Sequence, residues 1–519
     1  MSLYDTVLAA ASKRTDPEPV KPRDSAAVVP WRRSRSTREI EVYWVRRAEN
    51  LRFMGGWYSF PGGGLSRRDE ATFSEGVTGH GEDHQSSDEE NRRLAACAIR
   101  ELFEEAGILP SKEPLRGIGT ASSYLYKLRE ELLEKRISLA GVAQRLGGAL
   151  DPSRLTFAGR WITPASSPIR FDARFFLLEW PERELLQPLI VPGELEEGAW
   201  IHPSEAIERW QRGEVLIAPP GLYILRALAE DGPGKALPRL RQPRNIDVGP
   251  FRRMEFFPGM QLLPLRTETL PPATHTNAYV LGNRERVLVD PGASGEAEIG
   301  RLRLAARALE QEGGRFTGIW LTHHHRDHIG AVRAMREFLG VPVWAHALTA
   351  ERVASAGIEV QHEFADGQRV VLDGDPPLTI RVIHTPGHAR GHLCFFEERL
   401  RAAVVGDLVA GGSTIVIDPP EGDMDDYLNS LQKVIDLKPR YLLPGHGPLV
   451  TQAVAKLEEM IEHRHWREEK VLASWRSGLR QPKEMLPKVY EDVAPAAYPL
   501  AERQILAHLD RLKKLGKIG

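Results

Sequence analysis

Residues 320–330 read WLTHHHRDHIG. Four of the chain's 17 histidines fall within the six positions from His323 to His328. That density leaves three readings: a solvated loop, a fortuitous polar cluster, or a set of metal ligands. The flanks locate the cluster. GIWLT before it is a short apolar run of the kind that forms a buried strand, and IGAVRAMREFLG after it is amphipathic at helical spacing and ends at a glycine. The histidines therefore sit on a strand-to-helix loop, where a rigid scaffold presents side chains and the helix N-terminus adds a positive dipole. Within the loop, His323, His325, Asp327 and His328 form H-x-H-x-D-H. Neutral imidazoles and a carboxylate are ligands that zinc, manganese and iron accept. His323 and His325 alternate to one side of an extended segment and suit one ion, while Asp327 and His328 suit a second.

Both ions need partners from elsewhere, and the chain supplies them in order: His388 in HTPGHARGH, Asp407 in VVGDLVAG and His446 in LLPGHGP. Each follows or interrupts a β-like apolar run at a glycine-marked turn, where loops at one sheet edge converge. A lone histidine is more often structural or solvated, and His324, His384 and His392 are read that way.

With these motifs in order over ~200 residues, the segment resembles the metallo-β-lactamase fold, a four-layer αββα sandwich with its metals at one edge of the paired sheets. The resemblance implies that His323, His325 and His388 hold one ion, that Asp327, His328 and His446 hold the other, and that Asp407 bridges them. Asp290, in the DPG at 290–292, becomes a support behind the ligands. Two Zn²⁺, or Mn²⁺ or Fe²⁺, are the expected ions. Two-metal sites acidify a shared water from a pKa of 15.7 toward ~7, and Asp327 is placed to take its proton. The expected reaction is hydrolysis of an ester, thioester or phosphodiester.

The bridging Asp407 is the pattern of the glyoxalase-II-like and nuclease-like branches. The stretch from VVGDLVAGG to LLPGHGPLV is similar to the β-lactamase-like endoribonucleases, whose tails resemble a winged helix. The end of the chain, from HRHWREEKVLASW to LAHLDRLKKLGKIG, matches that tail. Single-stranded RNA is thus a candidate partner of the second site, although a branch does not transfer a substrate. Arg503, Arg511, Lys513, Lys514 and Lys517 would suit phosphates. They equally form the wet face of an amphipathic helix that buries Ile505, Leu506, Leu509 and Leu512. Interspersed acidic residues favour the second reading.

Upstream, AIRELFEEAGIL places Glu101, Glu104 and Glu105 at i, i+3 and i+4, on one helix face. Oxygen ligands at this density suit Mg²⁺ or Mn²⁺, and a solvated acidic stripe is the alternative. Together with RAENLRFMGGWYSFPGG at 47–63, the motif resembles the Nudix hydrolases. Gly63 opens the motif, Asp69 or Glu70 takes the early acidic place, and Arg100 arrives late. The intervening ATFSEGVTGHGEDHQSSDEENRR is polar and reads as an exposed loop, with His80 and His84 solvated. Such an insertion is known in the peroxisomal coenzyme A diphosphatases, which WITPASSPIRFDARFFL also resembles. Their signature R-[SA]-x3-R-x3-G-x3-F-P-G-G is met by Arg47, Ala48, Arg52, Gly56, Phe60, Pro61, Gly62 and Gly63. The resemblance implies Mg²⁺ or Mn²⁺ on Glu101, Glu104 and Glu105, with Glu101 and Glu105 catalytic. Arg47, Arg52 and Gly63 then meet the phosphates of coenzyme A or another nucleoside diphosphate derivative, and Arg100 orients a glutamate. Glu194, Glu196 and Glu197 in PGELEEGAW are candidates for activating water. A nucleotide-sensing module that regulates a downstream endoribonuclease is the alternative, and the retained glutamates and Arg100 favour an enzyme.

Length and composition set the frame. At 519 residues the chain suggests about three domains. With 42% hydrophobic and 27% charged residues, it has the apolar material for folded domains. A formal charge of -2 provides no global field toward nucleic acid or an anionic membrane. Two cysteines, Cys97 and Cys394, fit a reducing compartment. The start does not read as a signal peptide and no run approaches the ~20 apolar residues of a membrane span, so the expected location is cytoplasmic and no membrane partner is expected. The expected organisation is an extended or disordered 1–24, an α/β/α Nudix sandwich over 25–230, a linker over 231–250 carrying four prolines, the αββα sandwich over 251–455, and a helical, winged-helix-like 456–519.

Overall fold

A computed structural model describes residues 20–34, 36–51, 54–69, 87–111, 121–147, 150–163, 169–180, 188–190, 193–242, 254–270, 273–411, 414–493 and 497–519. The chain divides at Gly249 and Pro250 into two compact units. In the first, seven strands form one sheet: β1 (Arg23–Arg33), β2 (Ile40–Arg47), β3 (Tyr58–Ser59), β4 (Gly62–Gly64), β5 (Leu155–Ile162), β6 (Phe171–Glu179) and β7 (Leu195–Ile201). The path is β3-β2-β1-β6-β5, with β4 also on β1 and β7 on β2. β1 is central, antiparallel to β2 and β4 and parallel to β6.

Side chains alternate along each strand and sort into two cores. Val28, Val45 and Phe176 pack with Leu94, Ile99, Leu102 and Phe103 of the Asp88–Ala106 helix. Their neighbours Val29, Trp44 and Phe175 pack with Trp210 of Pro203–Gln211 and Leu225 of Pro219–Leu240. This is the expected α/β/α sandwich. The Asp88–Ala106 helix begins at Ser87, whose side chain accepts from Glu90 N, and ends at Gly107, which adopts φ 68° and donates to Phe103 O.

Two local expectations change. Residues 88–93, read as the end of an exposed loop, are helical, because the Ser87 cap and three first-turn acids start the helix there; residues 70–86 lie outside the described residues. The expected linker begins as helix: Pro219–Leu240 continues across a kink at Gly232, with φ 71°. Pro233 directly follows the kink, where a new helical segment tolerates it, and Ala236 and Leu240 bury against the sheet core. Apolar spacing there outweighs breaker composition. Residues 243–250 lie outside the described residues.

The second unit contains two sheets. β8 (Met254–Phe257), β9 (Met260–Arg266), β10 (His275–Leu281), β11 (Glu285–Val289), β12 (Arg315–Trp320), β13 (Val343–Ala345) and β14 (His362–Glu363) lie side by side in chain order. β15 (Arg369–Leu372), β16 (Leu378–His384), β17 (Leu393–Glu397), β18 (Ala402–Ala410) and β19 (Tyr441–His446) do likewise. Helices Glu296–Gln311 and Val332–Leu339 cover the first sheet. Helices Met424–Asp436 and Ala453–Arg476 cover the second. On β12, Ile319 faces the helical core while Trp320 contacts Phe395 of the other sheet, ring centroids 5.1 Å apart. Tyr279 Oη and Asn277 Nδ2 both donate to Pro444 O, at 2.8 and 2.9 Å, joining the sheets. Strands buried on both faces explain the near-continuous apolar runs.

The C-terminal region is helical: after Ala453–Arg476 come Pro482–Val489 and Tyr498–Lys514. Val471, Met485, Val489, Ile505, Leu509 and Leu512 form its core. Among the described residues, no helix is long and apolar enough to cross a membrane.

Candidate metal centre and phosphate site

The ends of β11, β12, β16 and β19 deliver Asp290, the histidine loop, His388 and His446 to one place, where an irregular stretch within β18 adds Asp407. His323, His325, His388 and Asp407 offer ligand atoms within 4.8 Å of one another, as do Asp327, His328 and His446. Asp407 touches both groups through different oxygens: Oδ2 is 3.6 Å from His388 Nε2, and Oδ1 is 3.4 Å from His328 Nε2 and 3.5 Å from His446 Nε2. Asp327 Oδ2 lies 3.4 Å from His446 Nε2.

Hydrogen bonds behind the ring define which nitrogen faces inward. His388 Nδ1 donates to Val416 O at 2.7 Å and His446 Nδ1 to His275 O at 2.9 Å, since a carbonyl only accepts. Asp290 is buried with φ 49°. It accepts from Thr322 N at 2.8 Å, Thr322 Oγ1 at 2.6 Å and His328 Nδ1 at 2.9 Å. Having given its proton to Asp290, the Thr322 hydroxyl accepts from His323 Nδ1 at 2.9 Å. In their neutral forms these four rings therefore turn Nε2 lone pairs inward. Those of His328 and His446 face each other at 3.3 Å, an arrangement that repels unless a cation or proton lies between them. His323 Nε2 and Asp407 Oδ1 are buried with no hydrogen-bond partner among the described residues. This donor set fits divalent ions.

The electrostatics agree. Burial, then the neighbouring His328, holds the His323 proton affinity well below the ordinary histidine value, and burial with His388 does the same to His325. Burial opposes charge on His328 and His446, but Asp407 outweighs it and raises both. Burial likewise opposes charge on Asp327 and Asp407, and the surrounding histidines outweigh it and keep both carboxylates ionised. The centre thus has two fixed anions and a demand for positive charge.

Of the histidines read as structural, His392 accepts from the Asp407 backbone N–H at 3.1 Å, so it supports the bridge's strand, and burial lowers its pKa to about 3. His384 donates Nε2–H to Arg390 O at 2.8 Å and stacks on His346 at 4.1 Å. His324 remains outside the two ligand groups. The sequence reading overlooked Thr322 and the carbonyls of Val416 and His275. Thr322 adjoins the cluster and was legible there; a carbonyl carries no residue signature.

In the first unit, Arg100 organises the carboxylates. It is 4% exposed and grips Asp69 with two bonds, at 2.7 and 3.0 Å. Nη1 donates to Glu101 at 2.7 Å and to Glu104 at 2.8 Å. Of the two candidates for the early acidic place, Asp69 is the one seen on Arg100, while Glu70 lies outside the described residues, as do Arg52, His80 and His84. Glu105 Oε2 accepts from Gly62 N at 2.8 Å. Burial, then the neighbouring Glu101, pushes the Glu105 pKa up to about 8. Burial raises Glu101 to about 7 against the pull of Arg100, and Glu104 is raised by burial as well. A Cβ on Gly63 would fall 2.5 Å from Glu101 Oε1, so only glycine leaves that carboxylate its place. The three glutamates do not converge as tightly as the His/Asp groups. Arg47 Nε is buried without a hydrogen-bond partner among the described residues, and its charge reaches Glu105. Glu196 and Glu197 pair with Arg46, and Glu197 also accepts from Tyr58. Glu194 is the one of the three whose charge acts on Glu105.

Four of the five tail cations are paired: Arg503 with Asp418, Arg511 with Asp425 and Glu468, Lys514 with Asp423, and Lys517 lies 4.0 Å from Glu468. Arg503 and Arg511 are part-buried in these pairs and dock the last helix onto the sandwich, so they are not the wet face expected of them; Ile505, Leu509 and Leu512 are buried as expected, and Leu506 is half-buried.

Comparison with known proteins finds matches for each part of the chain. Residues 271–446 match the metallo-beta-lactamase superfamily, residues 80–228 the NUDT19 Nudix domain, and residues 482–519 the beta-lactamase associated winged helix domain. The chain is 32% identical over 253 residues to beta-lactamase-like protein 2 homolog of Caenorhabditis elegans, 47% of this chain and 79% of that protein. It is 31% identical over 209 residues to an atrochrysone carboxyl ACP thioesterase of Aspergillus fumigatus, 40% of this chain and 62% of that protein. A Nudix hydrolase structure from Alicyclobacillus acidocaldarius aligns at 29% identity over 43% of this chain and 99% of that one, with a TM-score of 0.35. The chain belongs to the metallo-β-lactamase superfamily, with a Nudix domain before that module and a winged-helix domain after it. Both leading domains are of hydrolase families whose members bind divalent metals.

Proposed function

We propose that the chain is a bifunctional metal-dependent hydrolase. Its Nudix unit cleaves the phosphoanhydride of a nucleoside diphosphate derivative, coenzyme A or an acyl-coenzyme A foremost, and its second unit cleaves a thioester. The observation that carries the second half is the pair of Nε2 lone pairs on His328 and His446 facing each other beside Asp407. Zn²⁺, Mn²⁺ or Fe²⁺ would be held by His323, His325 and His388 on one side and Asp327, His328 and His446 on the other, with Asp407 shared; when bound, such a pair supplies Lewis acidity and a water acidified toward neutral pH. Asp327 Oδ2, kept ionised by His446, accepts the attacking water's proton. In the Nudix unit, Glu101, Glu104 and Glu105 hold Mg²⁺ or Mn²⁺ against the pyrophosphate. Arg100 keeps Glu101 and Glu104 in place, and Arg47 and Arg52 take the phosphate charge. Glu105, with Glu194 acting on it, is the proton acceptor. Water adds to one phosphorus and two phosphomonoesters leave.

A thioester is favoured over RNA for two reasons. One relative carries thioesterase in its name, and most of the tail cations suited to phosphates are engaged in ion pairs. The test is mass-spectrometric product analysis of coenzyme A, an acyl-coenzyme A, lactoylglutathione and single-stranded RNA with wild type, Glu105→Gln and Asp407→Ala. Phosphopantetheine and 3′,5′-ADP should vanish only in Glu105→Gln, and thioester cleavage only in Asp407→Ala. Nucleotide binding in Mg²⁺ without turnover would instead make the first unit a sensor of the second.

A further inference from the structure

His388 is oriented by a main-chain group, the carbonyl of Val416, which lies in the irregular stretch 414–418. Such a carbonyl orients a ligand only while its own peptide planes are held. The holding groups come from the C-terminal helices. Arg464, on Ala453–Arg476 and 2% exposed, donates Nη2 to the adjacent carbonyl of Ile415 at 2.5 Å. Gln504, on Tyr498–Lys514, donates Nε2 to the same carbonyl at 3.2 Å, and its Oε1 accepts from Arg464 Nη1 at 3.1 Å. One residue earlier, Arg503 reaches the Asp418 carboxylate and the Pro419 carbonyl, pinning the other end of the stretch.

Arg464 also opens a second route. Its guanidinium lies 5.1 Å from the Tyr427 ring centroid, and Tyr427 Oη donates to Leu408 O at 3.0 Å, beside Asp407. Among the described residues no carboxylate pairs with Arg464, although buried guanidinium is costly and an apolar side chain would fill the space more cheaply. Its use is to fix the Ile415 carbonyl, next to the Val416 carbonyl that orients His388, and to back the Tyr427 ring whose hydroxyl holds Leu408 O beside Asp407.

We infer that Arg464 and Gln504 are positioning residues for that ligand group, so that the C-terminal helical region is part of the metal centre and not an appended module. The inference rests on the reading of the His/Asp groups as metal ligands. The test uses the full chain, stripped with chelator and titrated calorimetrically with Zn²⁺, and with Co²⁺ for its visible spectrum, in wild type, Arg464→Met, Arg464→Lys and Gln504→Met. Removing support of this kind typically weakens a site by ~10–100-fold. The ion on His323, His325 and His388 should weaken by that factor in Arg464→Met and Gln504→Met with a changed Co²⁺ spectrum, the other ion, reached only through the shared Asp407, should weaken clearly less, and Arg464→Lys should recover part of the loss. If Arg464→Met does not fold, Gln504→Met decides. Folded variants that bind both ions as wild type does, or weakening of both ions in step with a lower Tm of the stripped protein, overturn the inference. Wild type that binds no divalent ion overturns the metal-centre reading itself.

Discussion

Replacing Asp290 by asparagine isolates the support behind the metal centre. The carboxylate accepts three hydrogen bonds, two on Oδ2 from Thr322 Oγ1 and His328 Nδ1, and one on Oδ1 from Thr322 N. Asparagine has the same shape and tolerates the left-handed backbone found there, φ 49°. It offers only one oxygen. In its better orientation it keeps the two Oδ2 bonds and turns NH₂ against Thr322 N–H; flipped, it loses both of the others. At least one buried, charge-assisted bond is lost, worth roughly 1.5–3 kcal/mol. At about 1.4 kcal/mol per decade, a loss expressed through ligand orientation weakens Zn²⁺ binding ~10–100-fold, the range usual for such partners. His328 and, through Thr322, His323 are both affected, so both ions weaken. Calorimetric titration of chelator-stripped Asp290→Asn against wild type measures this. Zinc affinity within twofold of wild type, with the variant folded, would refute the role assigned to Asp290.

Three further outcomes follow from the geometry. Stripped of metal, the second unit should lose thermal stability as pH rises: His328 and His446 have raised proton affinities, so their contribution is complete below the ordinary histidine value of ~6.5 and is lost as pH climbs through the raised ones. Differential scanning calorimetry across that range should show the decline, and Zn²⁺ should remove it. In the first unit, Glu101 and Glu105 at about 7 and about 8 bind protons in the folded state that the unfolded chain releases near ~4.3. Metal-free stability should therefore fall from that pH up to the raised values, with Mg²⁺ countering the fall and Glu105→Gln flattening it; a flat wild-type profile would contradict the burial argument. Gly63→Ala should lower Nudix turnover sharply with a smaller effect on Tm, because its Cβ meets the Glu101 carboxylate, a side-chain end that can turn aside, and not backbone; turnover of the second site should stay unchanged.

Much of the architecture could be read along the chain because short apolar runs marked the strands and a helical repeat marked the helices. Which layer each strand residue enters, Val28 against Val29 or Ile319 against Trp320, was set by packing, since both members of each pair are apolar; glycine-marked turns flagged His388, Asp407 and His446, and Asp407 lies within β18 and not at its end. The R-E-L-F-E-E-A-G run similarly announced its helix, and the Ser87 cap, unread, started it earlier than expected. Breaker composition misled at 231–240, where packing of Ala236 and Leu240 on the sheet kept the chain helical.

Residue type and spacing thus determined which side chains are able to ligate metal or phosphate, because donor atoms belong to side chains and loops inherit their place from strands. Only the tertiary structure decided what holds them. The carbonyls of Val416 and His275, the two-bond grip of Arg100 on Asp69, and the reach of Arg464 to Ile415 join segments far apart in sequence. They use backbone groups that every residue shares, or charges whose partners no local pattern names, so they exist only once the chain has closed.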